Sequence, residues 1–166
     1  SRLVAQAMPW VSVIAGSAMA TLLWIASAPL LPPFGLMLLI SWRQQQPALL
    51  PAWAGLPLGM LDDLVSGQPM GSAVLLWSLA ILALSAIETR IPWRMFVFDW
   101  LVAALLIAVA IVLGTVIADP ARALVLPLAT GPQIGLAVLS YPLLGRLVAA
   151  LDRLRLMPFV EVGAWR

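Results

Sequence analysis

Residues 95–118 read MFVFDWLVAALLIAVAIVLGTVIA, and Asp99 is the one charged side chain in that run. About 20 consecutive apolar residues in an α-helix cross the hydrocarbon core of a bilayer, because each residue adds about 1.5 Å. A helix is also one of the few structures that satisfies its own backbone where water is absent. The rest of the chain has the same character: 63% hydrophobic, 10% charged, mean hydropathy +1.06 over 166 residues. A soluble domain carries about 25% charged residues, so this chain has too few polar groups to coat a water-facing surface. It is expected to be an all-α polytopic membrane protein built as a single transmembrane domain.

Working outward from residues 95–118, loop signals divide the chain into about six spans. No charge occurs between Arg2 and Arg43, which is room for two crossings, and Pro29, Pro32 and Pro33 break that run. The first span is read at about residues 8–27 and the second, a short one, at about 33–42. Arg43-Gln44-Gln45-Gln46-Pro47 reads as a polar loop. The third span is placed at about 48–61 and is closed by Asp62-Asp63; Ser66-Gly67-Gln68-Pro69 makes a turn. The fourth runs over about 70–87, the fifth over 95–118 and the sixth over about 123–145. Residues 146–166 form a basic tail. If the second segment does not cross, five spans remain. The first apolar run is too long for a cleavable signal peptide, and others follow it.

All nine basic residues are Arg, scattered between apolar runs rather than gathered in a stripe, which excludes a nucleic-acid surface. Arg so placed sets topology. With six spans, Arg2, Arg43, Arg90, Arg94, Arg146, Arg153, Arg155 and Arg166 fall on the cytoplasmic side and Arg122 alone outside. Both span counts put the C-terminus inside and the Asp62-Asp63 turn outside. Trp93, Phe96, Phe98 and Trp100 beside Arg94 read as an aromatic belt at the inner interface.

The sequence has no Cys, His or Lys, which removes disulfides, the usual general base, the Schiff-base amine and the commonest metal ligand. Asp62 and Asp63 are the only paired carboxylates. Neighbours on a helix point about 100° apart, so they form no facing acid/base dyad. Asp99 lies about five residues inside its boundary, roughly 7.5 Å of helix, and is a candidate for pairing with Arg90 or Arg94 or for a partner contact. Glu88 reads as a solvated loop residue, and Asp119 as a cap for the sixth span. Ser12, Gly16 and Ala20 are spaced to let a partner helix approach, a pattern repeated by Gly55 and Gly59 and by Gly131 and Gly135. No cofactor or metal site is expected.

The run Gly59-Met60-Leu61-Asp62-Asp63-Leu64-Val65-Ser66-Gly67-Gln68-Pro69-Met70-Gly71 resembles the signature of the rod shape-determining protein MreD family. The family's Asp falls on Asp63 and its glycines on Gly59, Gly67 and Gly71; Asp62 is a local extra acid. Leu31-Pro32-Pro33-Phe34 is similar to a weaker proline region of the family. The resemblance is motif-specific over about residues 55–75 and covers most of the chain in hydropathy. It implies a non-catalytic scaffold of the bacterial inner membrane, without cofactors, that binds the bitopic protein MreC. Through MreC it would serve a larger elongation complex of RodA, a class B penicillin-binding protein and MreB that controls peptidoglycan synthesis. It also implies a fold similar to the substrate-binding subunits of energy-coupling factor transporters.

Two functions from different classes follow. One is a scaffold for partner helices, for which proline-interrupted helices and small residues supply grooves. The other is a small-molecule-binding subunit of an energy-coupling factor type transporter. That reading needs polar groups converging inside the bundle, for which the sequence offers mostly Ser, Thr130, Gln133 and Tyr141.

Overall fold

The computed structural model describes residues 2–23, 31–91, 95–121 and 126–156. Among them are six helices and no strand: α1 (Arg2–Leu23), α2 (Phe34–Gln45), α3 (Gly55–Ser66), α4 (Ser72–Arg90), α5 (Phe96–Ala118) and α6 (Leu126–Leu156). Two 3-10 turns, Pro47–Leu49 and Ala52–Ala54, join α2 to α3. The expected all-helical class therefore holds. Trp93, Arg94, Arg122 and the tail beyond Leu156 lie outside the described residues.

Local chemistry sets the boundaries. Pro33 precedes α2, and its carbonyl accepts the first helical bond from Met37 N at 3.0 Å, while its own missing N–H costs nothing there. α3 stops where Gly67 turns left-handed at φ 66°. α5 stops at Asp119, just before Pro120, a position proline pushes out of helical geometry. Pro9, Pro132 and Pro142 nevertheless sit inside α1 and α6. Near Pro9 the Ser12 hydroxyl donates to the Pro9 carbonyl at 2.8 Å, one way in which side chains satisfy a proline-interrupted helix.

Among the described residues, three segments are long and apolar enough to cross a membrane: Ser72–Arg90, Phe96–Ala118 and Thr130–Arg155. α2 and α3 have 12 residues each, a rise of about 18 Å against a hydrocarbon core of about 30 Å. Where the sequence suggested segments at 33–42 and 48–61, the helices occupy Phe34–Gln45 and Gly55–Ser66. Asp62 and Asp63 consequently lie inside α3 instead of closing it. The basic segment from Arg146 is no separate tail over its described part, because α6 continues unbroken to Leu156.

α2 is the centre of the molecule. Every residue from Gly35 to Arg43 is buried, which requires neighbours on all sides, and α1, α4, α5 and α6 supply them. Trp42 is fully buried and donates its indole N–H to Ser12 Oγ at 2.8 Å. A Cβ on Gly16 would stand 2.7 Å from Leu38 Cδ1, so α1 and α2 approach over that glycine. Gly55 and Gly59 do the same for α3 and α4: a Cβ on Gly59 would lie 2.6 Å from Val74 Cα. These small residues, read from sequence as faces for a partner, instead close the protein on itself. The exceptions are Gly131 and Gly135, where a Cβ would meet nothing within 4 Å.

The four polar residues read as a loop, Arg43 to Gln46, instead form an anchor at the far end of α2. Arg43 is 8% exposed and donates to the Pro47 and Leu50 carbonyls, to Ser85 Oγ at 2.8 Å and to Glu88 Oε2 at 3.1 Å. Gln44 Nε2 donates to the Asp99 carbonyl at 2.8 Å, and Tyr141 Oη donates to Gln44 Oε1 at 2.6 Å. Gln45 Nε2 reaches the Gly145 carbonyl and Gln46 Nε2 reaches Asp152 Oδ2. The run thus grips α4, α5 and α6 in turn. Glu88, expected to be a solvated loop residue, is in α4 and pairs with Arg43.

Helices alternate between two ends. Ser17, Phe34, Ser66, Gly71, Asp119 and Thr130 belong to one; Gln45, Glu88, Asp99 and Gly145 belong to the other. Gly59→Ala should lower the thermal midpoint of the purified protein by several degrees, because the added methyl meets backbone and overpacking costs about 1–3 kcal/mol. Gly131→Ala, which fills open space, should leave the midpoint unchanged in the same unfolding scan.

Candidate functional site

The turn between α3 and α4 is built on one carboxylate. Asp63 is in the last turn of α3 and is 3% exposed. Its Oδ2 accepts the Gly71 N–H at 2.7 Å, and its Oδ1 accepts the Ala73 N–H at 2.8 Å and the Ser72 hydroxyl at 3.0 Å. The first N–H groups of a helix lack partners within it and carry partial positive charge, so a buried carboxylate beside them answers both needs. Asp63 reaches these donors from the end of the preceding helix.

The two glycines of the turn serve conformation. Gly67 has φ 66° and Gly71 has φ 97°, and a Cβ on either would touch nothing within 4 Å. The role of Gly71 is the left-handed backbone that aims its own N–H at Asp63. Gly59, one turn before Asp63, supplies the close approach of α3 to α4. Gly59, Asp63, Gly67 and Gly71 therefore form one hairpin.

Asp62 faces elsewhere, as a residue about 100° round a helix must. With Ser17 of α1 it lines a cavity of about 550 Å³ at this end of the bundle. Thr130 and Gln133 from α6, Asp119 after α5, and Trp77 from α4 line it too. Gln133 Nε2 donates to the Leu31 carbonyl at 2.8 Å. Of the polar groups picked out in the sequence for such a pocket, Thr130 and Gln133 converge here, while Tyr141 is at the opposite end on Gln44. Asp62 and Asp119 were missed as cavity residues. The available signal was Asp62 itself: with Asp63 turned to α4, an acid one step along must face a different neighbour.

The cavity follows from register. α2 and α4 run side by side with Gly35 opposite Trp77 and Arg43 opposite Ser85. α4 begins five residues before Trp77 and α2 one residue before Gly35, so α2 starts about 6 Å deeper. The space above its first turn, flanked by Pro32 and Pro33, is the cavity.

The remaining candidates are accounted for within the chain. Ser12 and Gly16 face α2, and Ala20 lines the cavity. They are therefore not an outward face for a partner helix. Asp99, in the first turn of α5, is partly buried and its carbonyl accepts Gln44. No group of three or more Asp or Glu side chains able to hold a metal occurs among the described residues.

A family model described as rod shape-determining protein MreD matches residues 1–144. The chain belongs to the MreD family. No curated protein and no solved structure matches it. As an MreD-family chain it has a role in rod shape determination, and its long apolar helices make it a membrane protein. The Asp63 hairpin lies within the matched residues.

Asp63→Ala removes three bonds from a buried carboxylate, each of a kind worth roughly 1.5–3 kcal/mol, and leaves two backbone donors without a partner. It should destabilise this MreD-family protein by about 3 kcal/mol or more in an unfolding titration in micelles. Asp62→Ala should cost less than about 1 kcal/mol. Gly67→Val should be severe, since a β-branched residue resists positive φ.

Proposed function

We propose that this protein is a non-catalytic scaffold of the bacterial cell-elongation machinery, seated in the inner membrane and binding MreC. The family match over residues 1–144 carries the reading. In it, MreC links the scaffold to RodA, a class B penicillin-binding protein and MreB, so that the complex governs peptidoglycan synthesis and cell shape. The sequence supports a role without turnover: Cys, His and Lys are missing, and the two adjacent acids diverge.

The orientation proposed is C-terminus inside, with six segments traversing the bundle between its two ends. Arg43, Arg90, Arg146, Arg153 and Arg155 all belong to the end where α2 is anchored, whereas Asp62, Asp63 and Asp119 gather at the other. That asymmetry supports the Arg-rich end as cytoplasmic. For a partner helix, the open pair Gly131 and Gly135 on α6 offers close approach that the inward-facing pairs do not.

A second reading, a small-molecule-binding subunit similar to those of energy-coupling factor transporters, is favoured by one observation, a cavity whose mainly apolar lining carries a few polar side chains. Affinity purification from membranes separates the two. Co-purified MreC supports the scaffold; a retained small molecule with no bitopic partner supports the transporter subunit.

Two outcomes are expected. A reporter active only outside the membrane, fused after Arg166, should be silent; strong activity would reverse the orientation. Gly135→Leu should abolish MreC co-purification and rescue of rod shape while leaving the thermal midpoint unchanged, since its Cβ has open space. Retained co-purification would move the docking face off α6.

A further inference from the structure

α6 carries charge on two sides at the end where α2 is anchored. Asp152 and Arg155 are largely covered and pair at 2.8 Å, and Gln46 donates to the same aspartate. Arg146 and Arg153 are exposed, and among the described residues neither makes an ion pair or a hydrogen bond. Together with Ala149, Ala150 and Leu154 they line a cleft on the surface of the helix. We propose that this cleft holds the phosphate of an anionic phospholipid, with an acyl chain laid along the exposed leucines of α6. The two arginines are about 10.5 Å apart along the helix axis, and the floor between them is alanine. So small a floor leaves room for a headgroup between two guanidinium groups, each able to grip a phosphate through paired N–H bonds.

Depth decides for a lipid over a soluble anion. α4 has 19 residues, about 28 Å of helix, close to the full hydrocarbon thickness, and it ends at Arg90. The α2 anchor sets Glu88 and Gly145 at one level, through Arg43 and Gln45. The hydrocarbon boundary therefore crosses α6 close to Arg146, and Ala150 lies about 6 Å beyond it. The headgroup layer is about 5–7.5 Å thick on each side of the core, so the cleft stands at phosphate depth. On the hydrocarbon side, Leu139 and Leu143 are 75% and 66% exposed and continue the same side of the helix at four-residue spacing. An acyl chain uses such a surface, whereas a free phosphate does not. Surroundings less polar than bulk water strengthen the attraction between guanidinium and phosphate. The cleft is roughly 16 Å along α6 from Gly135, so a partner helix there leaves it open, and the proposal holds whether or not MreC binds.

The protein, purified alone in a neutral detergent, is titrated with phosphatidylglycerol or with phosphatidylcholine, and bound lipid is counted by native mass spectrometry. Phosphatidylglycerol should bind saturably and phosphatidylcholine at least about tenfold more weakly. Excess inorganic phosphate should not displace the lipid. Arg146→Gln and Arg153→Gln should each weaken phosphatidylglycerol about tenfold, and Ala150→Trp, which fills the floor and keeps both charges, should act in the same direction. Arg90→Gln, which removes an equal charge from α4 at the same end of the bundle, should change nothing. Thermal midpoints identify any variant that has lost its fold, and the two arginines and the alanine provide independent tests. Equal affinity for the two lipids, displacement by inorganic phosphate, an equal loss in Arg90→Gln, or unchanged affinity in all the folded cleft variants would overturn the proposal. Absence of saturable phosphatidylglycerol binding would overturn it too.

Discussion

α2 is enclosed on every side and yet ends in four large polar residues, and the rest of the structure is arranged around that conflict. Burying a guanidinium costs several kcal/mol unless its hydrogen bonds are made. The two Nη groups of Arg43 make them to two carbonyls of the following turn, to Ser85 and to Glu88, while the less buried glutamines take α5 and α6. Once these bonds are made, α2 cannot slide along its axis without breaking several at once. Its far end is then fixed by length alone. Twelve residues rise about 18 Å, so its first turn stops short of the start of α4 and leaves the cavity there. The anchor at one end and the cavity at the other are two consequences of one short, fixed helix.

The α3–α4 hairpin faces a related problem with a different solution. α3 also has 12 residues, too few to be stable by helix propensity alone. It is held by contact with α4 so close that Gly55 and Gly59 tolerate no side chain, and by Asp63, which ties the end of one helix to the beginning of the next. Lipid offers no hydrophobic force to bring helices together, so packing and internal hydrogen bonds must carry the association. A glycine surface and a buried carboxylate are the two devices available, and this hairpin uses both within a few residues.

Much of this was legible in the sequence, and what was not has a common cause. Composition and the apolar run 95–118 lead to an all-helical membrane protein, because bilayer thickness and backbone satisfaction leave few alternatives. Ser66-Gly67-Gln68-Pro69 read as a turn, and α3 does end at Gly67, because turn geometry is local. Arg43 to Gln46 read as a loop because a one-dimensional pattern cannot distinguish polar residues facing water from polar residues facing one another across helices. The same blindness assigned Ser12, Gly16, Gly55 and Gly59 to an external partner: small residues announce close approach without saying to what. Asp62 was set aside as a spare acid because the residues that line the cavity with it, Ser17 and Gln133 among them, are distant in the chain.

Charge separation connects these features. The described arginines collect where α2 is anchored, and the acids Asp62, Asp63 and Asp119 collect where α2 falls short. The acids have divided roles because adjacent positions on a helix diverge. Asp63 turns into the α4 terminus, where backbone N–H groups neutralise it. Asp62 turns toward the cavity, which Ser17 of α1 also lines. One carboxylate thus holds the hairpin by meeting fixed positive charge, while its neighbour borders a space that α2 is too short to fill. Two consecutive aspartates in the sequence become a structural tie and a cavity-lining group, and the helix that carries them keeps the two apart.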